Sequence, residues 1–425
     1  MLSFAVFALI VLLIDLTAYQ GLKVLFGETG GMTARLLMRI VFWLVPFLLI
    51  TSVLYVVYFR PVEPDPRLFN SYYYIIAFAF LFYLPKLFFI VFYIIEEVIF
   101  STGRLIKRVR RRFAGEKPGY QSYYRGKFKF LSSLGVGLAI IPFLAIIYGM
   151  MIGRFDFRVV NKTFEHESIP SSFDGFRIVH ISDFHIGSFH NYKKQVERAV
   201  DLINGQNPDL IVFTGDLVNN FTSELDGFIP VLGRMNAPFG IYSILGNHDY
   251  GDYFQWDSEE AKENSLQKML SAQKEMGFRL LLNEWDSLVI DDGRIAVIGV
   301  ENWGEPPFPQ YGDLEKASAG TEGFPFRILL THDPTHWDAE VLNKTDIELT
   351  LSGHTHGMQV GIEVGNIKWS PGKLRYPRWG GLYREDGQYL YVNRGLGFIA
   401  FPGRIGMPPE ITVIELRNPE QFLNF

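Results

Sequence analysis

Five short apolar runs in the second half of the chain each end in Asp, Asn or His. Ile178-Val179-His180-Ile181 leads through Ser182 into Asp183-Phe184-His185, and Leu210-Ile211-Val212-Phe213 leads into Gly215-Asp216, with Asn219 three residues on. Ile241-Tyr242-Ser243-Ile244-Leu245 runs into Gly246-Asn247-His248-Asp249. Ile328-Leu329-Leu330 runs into Thr331-His332-Asp333, and Leu349-Thr350-Leu351-Ser352 into Gly353-His354-Thr355-His356. Read as buried strands, these runs deliver polar groups to one edge. Asp183 and His185, two apart in an extended chain, point to the same side and could grip one ion. In open α/β sheets, ligands bind where the carboxyl ends of strands converge. Five strand ends offering only oxygen and nitrogen donors suit hard or borderline divalent metals. The chain has no cysteine. That excludes disulfides and thiolate zinc sites, and it suits an oxidising compartment.

Each piece alone has an ordinary reading: a capping Asp-x-His, a turn Gly-Asp, a solvated His-x-His. All five, in this order and each after a strand, do not. The series Asp183-x-His185, Gly215-Asp216-x-x-Asn219, Gly246-Asn247-His248-Asp249, His332 and Gly353-His354-Thr355-His356 resembles the calcineurin-like metallophosphoesterases over residues 174–417. The tail Tyr391-Val392-Asn393-Arg394-Gly395-Leu396-Gly397 with Pro408-Pro409-Glu410-Ile411 is similar to the bacterial membrane-associated branch, which includes some lipid-acting pyrophosphate hydrolases. The resemblance implies a four-layer α/β/β/α sandwich. It makes Asp183, His185 and His356 ligands of one metal, Asn247, His332 and His354 ligands of a second, and Asp216 the bridge. It also turns His248 towards substrate. Met358 stands where that branch usually has a second Gly, a departure that leaves every ligand in place.

Charge explains such a division of labour. A carboxylate has two oxygens and so suits the bridging place of Asp216. The neutral Asn247 leaves more positive charge for a phosphate. Two ions a few Å apart clamp phosphoryl oxygens and lower the pKa of water. His248 is the candidate proton donor to the leaving group. Arg394 is a candidate phosphate contact through its guanidinium, or else an ordinary ion-pair arginine. His166, His180, His190 and His336 read as structural or solvated. The Pro- and Gly-rich stretch 299–325 reads as loops beside the cleft, where Trp303 is a candidate leaving-group contact.

The elements that carry this site follow a different kind of sequence. Four apolar stretches, at 2–26, 37–58, 72–95 and 130–151, are long enough to cross a bilayer. The first lacks a basic start and a small-residue cleavage site, so a retained helix is expected rather than a signal peptide. Pro85 and Lys86 interrupt the third, which leaves a re-entrant hairpin as its alternative. Lys86 is either a lipid-phosphate contact or a partner of Asp15, Glu96 or Glu97. Residues 1–152 carry net charge +9 and the remainder −14. An acidic catalytic half argues against a nucleic-acid substrate. Ten basic residues and the single acid Glu116 lie between Arg104 and Lys129, which marks that loop as cytoplasmic. The fourth span then delivers the C-terminal half to the other face.

These readings give a membrane domain over 1–152 with a basic loop at 101–129, followed by a metallophosphoesterase domain over 153–425. The expected activity is metal-dependent hydrolysis of a phosphoester or pyrophosphate bond, with two ions drawn from Mn, Fe, Zn and Co. A lipid-linked substrate is preferred, because a tethered domain searches the bilayer surface. A bacterial inner-membrane protein with an extracytoplasmic site is expected. Nothing in the sequence fixes an oligomeric state. A metal-binding scaffold or sensor is the competing reading, opposed by the retained ligand series and His248. A transporter with an accessory outer half has only Asp15 and Lys86 in its favour.

Overall fold

The computed structural model describes residues 2–26, 31–58, 66–115, 129–365 and 367–419. Glu116, Lys117, Arg125 and Lys127 of the basic loop lie outside the described residues. Contacts divide the chain into two units, Met1–Pro61 with Tyr72–Tyr148, and Val62–Ser71 with Gly149–Phe425.

Four helices make up the first unit, apart from residues 66–71 of α3 and 149–151 of α4, which fall in the second: α1 (Leu2–Phe26), α2 (Met32–Tyr58), α3 (Pro66–Phe113) and α4 (Phe130–Met151). All four are long and apolar enough to cross a membrane. Their outward faces are greasy, with Leu9, Val41 and Ile141 exposed, as lipid contact demands. Their inward faces use small residues for close approach. A Cβ on Gly21 would come within 2.6 Å of the Phe89 ring, and one on Gly135 within 2.8 Å of Phe92. The polar groups inside are paired. Asp15, fully buried, accepts from Lys86 Nζ and from the Tyr83 hydroxyl, each at 2.6 Å, so α1 and α3 are joined by a hydrogen-bonded ion pair. Among the partners considered for Lys86, the structure selects Asp15. Glu96 instead accepts the N–H groups of Leu131 (3.3 Å) and Ser132 (3.0 Å) and the Ser132 hydroxyl, capping the first turn of α4 from outside. Pro85 lies inside a continuous helix, which is not the re-entrant alternative.

The second unit is built on two six-stranded sheets. The first runs in the order β1 (Arg158–Glu165), β14 (Glu410–Arg417), β2 (Arg177–Ile181), β3 (Leu210–Phe213), β4 (Ile241–Ser243) and β5 (Phe278–Leu280). The second runs β12 (Gly381–Glu385), β13 (Gln388–Val392), β9 (Leu349–Ser352), β8 (Phe326–Leu330), β7 (Gly293–Gly299) and β6 (Glu284–Ile290). A separate ribbon pairs β10 (Ile362–Val364) with β11 (Ile367–Trp369). Strand residues alternate between two cores, as the period of two requires. Ile178, Leu210 and Val212 pack with Ile295, Val297, Ile328 and Leu351 between the sheets. Val179, Ile211 and Phe213 face the helix Lys193–Asn204, through Val196, Val200 and Ile203, on the outside of the first sheet. Ile298, Leu329 and Val392 pack with Trp337, Val341 and Leu314 outside the second. The result is the expected α/β/β/α sandwich.

Candidate metal centre

The five motif-bearing runs are strands β2, β3, β4, β8 and β9, and the candidate residues follow their C-terminal ends. Here the local geometry differs from the expectation for Asp183 and His185. They do not continue an extended strand: their φ angles are 51° and 44°, in the left-handed region, as are those of Asp216 (59°), His354 (69°) and His356 (51°). Such backbone costs about 1–3 kcal/mol per residue and persists where surrounding structure fixes it. The fixing contacts are visible. Gly215 (φ 92°) has no room for a Cβ against the Gly246 backbone, and a Cβ on Gly353 would strike Ser182 and Asp183. The chains thus cross close enough to turn their side chains into one space.

Two groups result. Asp183, His185 and His356 present ligand atoms within 4.8 Å of one another, and so do Asp216, His332 and His354. Asp216 lies between them: its Oδ2 is 3.4 Å from His185 Nε2 in the first group and 3.2 Å from His332 Nε2 in the second. Donor chemistry supports ions here. His185 Nδ1 lies 3.1 Å from the Val218 carbonyl and His332 Nδ1 2.7 Å from the Thr214 carbonyl. A carbonyl only accepts, so each Nδ1 carries a proton and Nε2 is the atom each ring turns inward. Two imidazoles, His185 and His356, meet Nε2 to Nε2 at 3.0 Å. Asn247 donates its Nδ2 to the Tyr253 hydroxyl (2.7 Å), leaving Oδ1 inward, 2.9 Å from His354 Nδ1. The residues therefore fit a pair of divalent ions.

Electrostatics match this geometry. Burial alone would raise the Asp183 carboxyl, but His356 and His332 hold it well below the usual carboxylate range. Burial would lower His332, yet the Asp216 charge and hydrogen bond push it up to about 10, so without an ion its Nε2 carries a proton that Asp216 accepts and that a bound cation would replace.

His248 is half-buried beside the groups, its ring centroid 5.0 Å from that of His185. Its backbone N–H donates to Asp216 Oδ1 (2.9 Å) and its Nδ1 lies 2.6 Å from the Asn219 carbonyl, so Nε2 is the atom left for a substrate. Burial lowers its pKa, partly offset by Asp216. Arg394 takes its ion-pair alternative, with Nε 2.6 Å from Glu410 and Nη1 2.6 Å from Glu363. Trp303 is buried, stacked on His336 at 4.9 Å and donating to Glu340 at 3.0 Å. His180 and His336 are fully buried, His180 bonded to Thr214 (3.0 Å) and His336 to Thr331 (2.9 Å).

Sequence reasoning gave no role to several supporting groups. Asp249, quoted in its motif, accepts the N–H groups of Asp216 (2.9 Å), Leu217 (2.8 Å), Val218 (3.2 Å) and Gly246 (2.9 Å), and so clamps two strand ends together. Buried Glu224 accepts from Asn219, Asn220 and Phe221, beneath the carbonyl that orients His248. Arg404, 1% exposed, donates to the Arg394 and Gly397 carbonyls and lies 3.1 Å from His356 Nδ1. Tyr376 places its hydroxyl 2.9 Å from His354 Nε2. The one available signal was the fourth residue of Gly246-Asn247-His248-Asp249.

Comparison with known proteins agrees. Residues 176–358 match the family "Calcineurin-like phosphoesterase", and residues 1–154 match "Probable Calcineurin-like phosphoesterase, transmembrane domain". The metallophosphoesterase YkuE of Bacillus subtilis is 36% identical over 264 residues, 60% of this chain and 84% of that one. A transmembrane protein with metallophosphoesterase domain from Danio rerio is 32% identical over 292 residues, and this chain spans 62% of its length. Among solved structures, a dimetal phosphatase from Danio rerio aligns over 52% of this chain and 88% of that one at 12% identity, with a TM-score of 0.30. The chain belongs to the calcineurin-like metallophosphoesterases, phosphoester hydrolases dependent on metal. It is a membrane protein with four candidate spans ahead of its catalytic domain.

Proposed function

We propose that this chain hydrolyses a phosphoester or pyrophosphate bond of a lipid-linked substrate, on the extracytoplasmic face of a bacterial inner membrane, with two divalent ions. The observation that supports it most is Asp216, whose one oxygen faces imidazole nitrogens of both groups. Asp183, His185 and His356 would hold one ion, Asn247, His332 and His354 the other, and Asp216 both. Ions there, whether Mn, Fe, Zn or Co, would supply Lewis-acid chemistry, polarising phosphoryl oxygens and lowering the pKa of water.

The chain's own groups do the rest. Val218 and Thr214 carbonyls hold His185 and His332 in the tautomer that leaves Nε2 free for a ligand bond. The Asn219 carbonyl fixes the His248 ring, so its Nε2 can pass a proton to the leaving-group oxygen. A dianionic phosphate beside that ring favours its protonated form, reversing the effect of burial. Arg394, held by Glu363 and Glu410, would reach a phosphate only by exchanging Glu363, the more exposed partner. Sidedness rests on the basic loop, and the lipid preference on the tether. The acidic catalytic half gives nucleic acid no basic footprint.

The test is a hydrolysis screen of the purified chain with Mn²⁺, comparing lipid-linked pyrophosphates, phospholipids and soluble mono- and diesters. The proposal expects its highest kcat/KM on a lipid-linked substrate. Equal or better turnover of soluble esters would remove the lipid; two bound ions with no turnover at all would favour the scaffold reading.

A further inference from the structure

The β10–β11 ribbon pairs with no other strand among the described residues. Its register opposes Ile362 to Trp369, Glu363 to Lys368 and Val364 to Ile367. Opposed residues share a face, so Ile362, Val364, Ile367 and Trp369 form one apolar face while Glu363 and Lys368 form the other. The polar face is satisfied: Glu363 pairs with Lys368 and with Arg394, each at 2.6 Å. The apolar face is bare. Its four side chains are 55%, 69%, 68% and 48% exposed, and Leu374 just beyond is 89% exposed between Lys373 and Arg375. An isolated two-stranded ribbon is marginal in water, and contiguous exposed apolar surface marks a contact site.

Two observations indicate what covers it. Trp369 and the basic pair around Leu374 have the composition of a bilayer interface, where an aromatic ring sits at headgroup depth and cations meet anionic lipid. The chain carries its own membrane spans. The root of the ribbon bridges through Val360 to Ile405 and Gly406. The same root is fastened to the metal groups. Ser370 donates to the Gly357 carbonyl (2.6 Å), one residue from His356, and Tyr376 reaches His354.

We propose that this ribbon is a membrane-docking element. Its apolar face seats in the interface of the bilayer that anchors the chain and holds the metal groups at the level of lipid phosphates. The second half rests on the lipid-substrate reading above; the docking itself does not. Amphipathic elements of this kind bind by buried apolar area plus attraction to anionic headgroups.

The absence of cysteine allows a direct test. The full-length I367C variant, labelled with a nitrobenzoxadiazole dye, is reconstituted in vesicles of phosphatidylcholine and phosphatidylglycerol with or without nitroxide lipid. A D292C label, on the exposed β6–β7 turn, is the control. The expected result is a fall in emission of about twofold or more at residue 367 and little change at 292, with quenching lost when V364D and W369D are added. Unquenched emission at 367 would overturn the proposal. So would a blue shift that depends on protein concentration in detergent without lipid quenching, which would assign the face to a second copy of the chain. Hydrolysis of bis-p-nitrophenyl phosphate by the same samples reports whether the metal site is intact. Quenching at 367 with turnover confined to that soluble ester would keep the docking and sink the lipid substrate.

Discussion

Asp216 Oδ2 stands 3.4 Å from one imidazole and 3.2 Å from another, in different ligand groups, so its loss should be felt twice. Asp216→Ala is expected to abolish turnover and reduce bound metal below two ions per chain, measured by elemental analysis; two ions and surviving activity would remove the bridging role. His248 should behave differently, because it touches Asp216 through its backbone N–H, which alanine keeps. His248→Ala is expected to retain both ions while kcat falls by roughly 10²–10⁴, the usual contribution of a general acid. Part of that loss should return on a substrate with a much better leaving group, and equal losses on good and poor leaving groups would exclude proton donation. At this scale the clustering of the candidate ligands was legible because each follows its own strand within a few residues. The supports were not. Asp249 clamps N–H groups 31–33 residues away and Arg404 meets His356 across 48, distances at which a single sequence carries no signal. Arg394 was readable as a guanidinium near the site, but only the fold brings Glu363 and Glu410 to it.

Helices in lipid are joined by packing and by polar pairs, and the Asp15–Lys86 pair is the clearest such joint here, with Tyr83 donating to the second oxygen of Asp15. Removing one partner leaves a buried charge alone and should destabilise by about 3–5 kcal/mol, whereas replacing both by apolar residues should be close to neutral. Asp15→Leu and Lys86→Met are each expected to lower the melting temperature in detergent, and the double variant to recover most of it. Additive losses in the double variant would contradict a pairwise role. The spans themselves were legible, since hydropathy reports lipid contact directly. The length of α3 was not. It continues past residue 95 to Phe113 through Arg104, Lys107, Arg108 and Arg110, where the chain stays helical after ceasing to be apolar. The strands of the site were read nearly to their ends, β4 stopping at Ser243 rather than Leu245. Their left-handed exits at Asp183 and His185 were missed, because a collision at Gly353 or Gly215 exists only once two strands have met.

For the molecule as a whole, composition separated a basic apolar part from an acidic α/β part, and the five-strand signature was enough to name the sandwich. Strand order was not readable, as the insertion of β14 between β1 and β2 shows: that pairing joins residues more than 230 apart, and loop closure over such lengths leaves no local trace. Sidedness is a prediction from charge. Moving ten cations across a bilayer is strongly disfavoured, so one apolar helix beyond them should put the catalytic domain outside. Protease added to intact spheroplasts should therefore release that domain. The most direct test joins metal, hydrolysis and location in one assay: release of phosphate or nitrophenol from a membrane-impermeant ester by sealed spheroplasts carrying the chain. Activity is expected without lysis, abolished by external chelator, restored by Mn²⁺, and absent in the Asp216→Ala strain. Activity that appears only after lysis, or that ignores the chelator, would contradict an extracytoplasmic two-metal hydrolase.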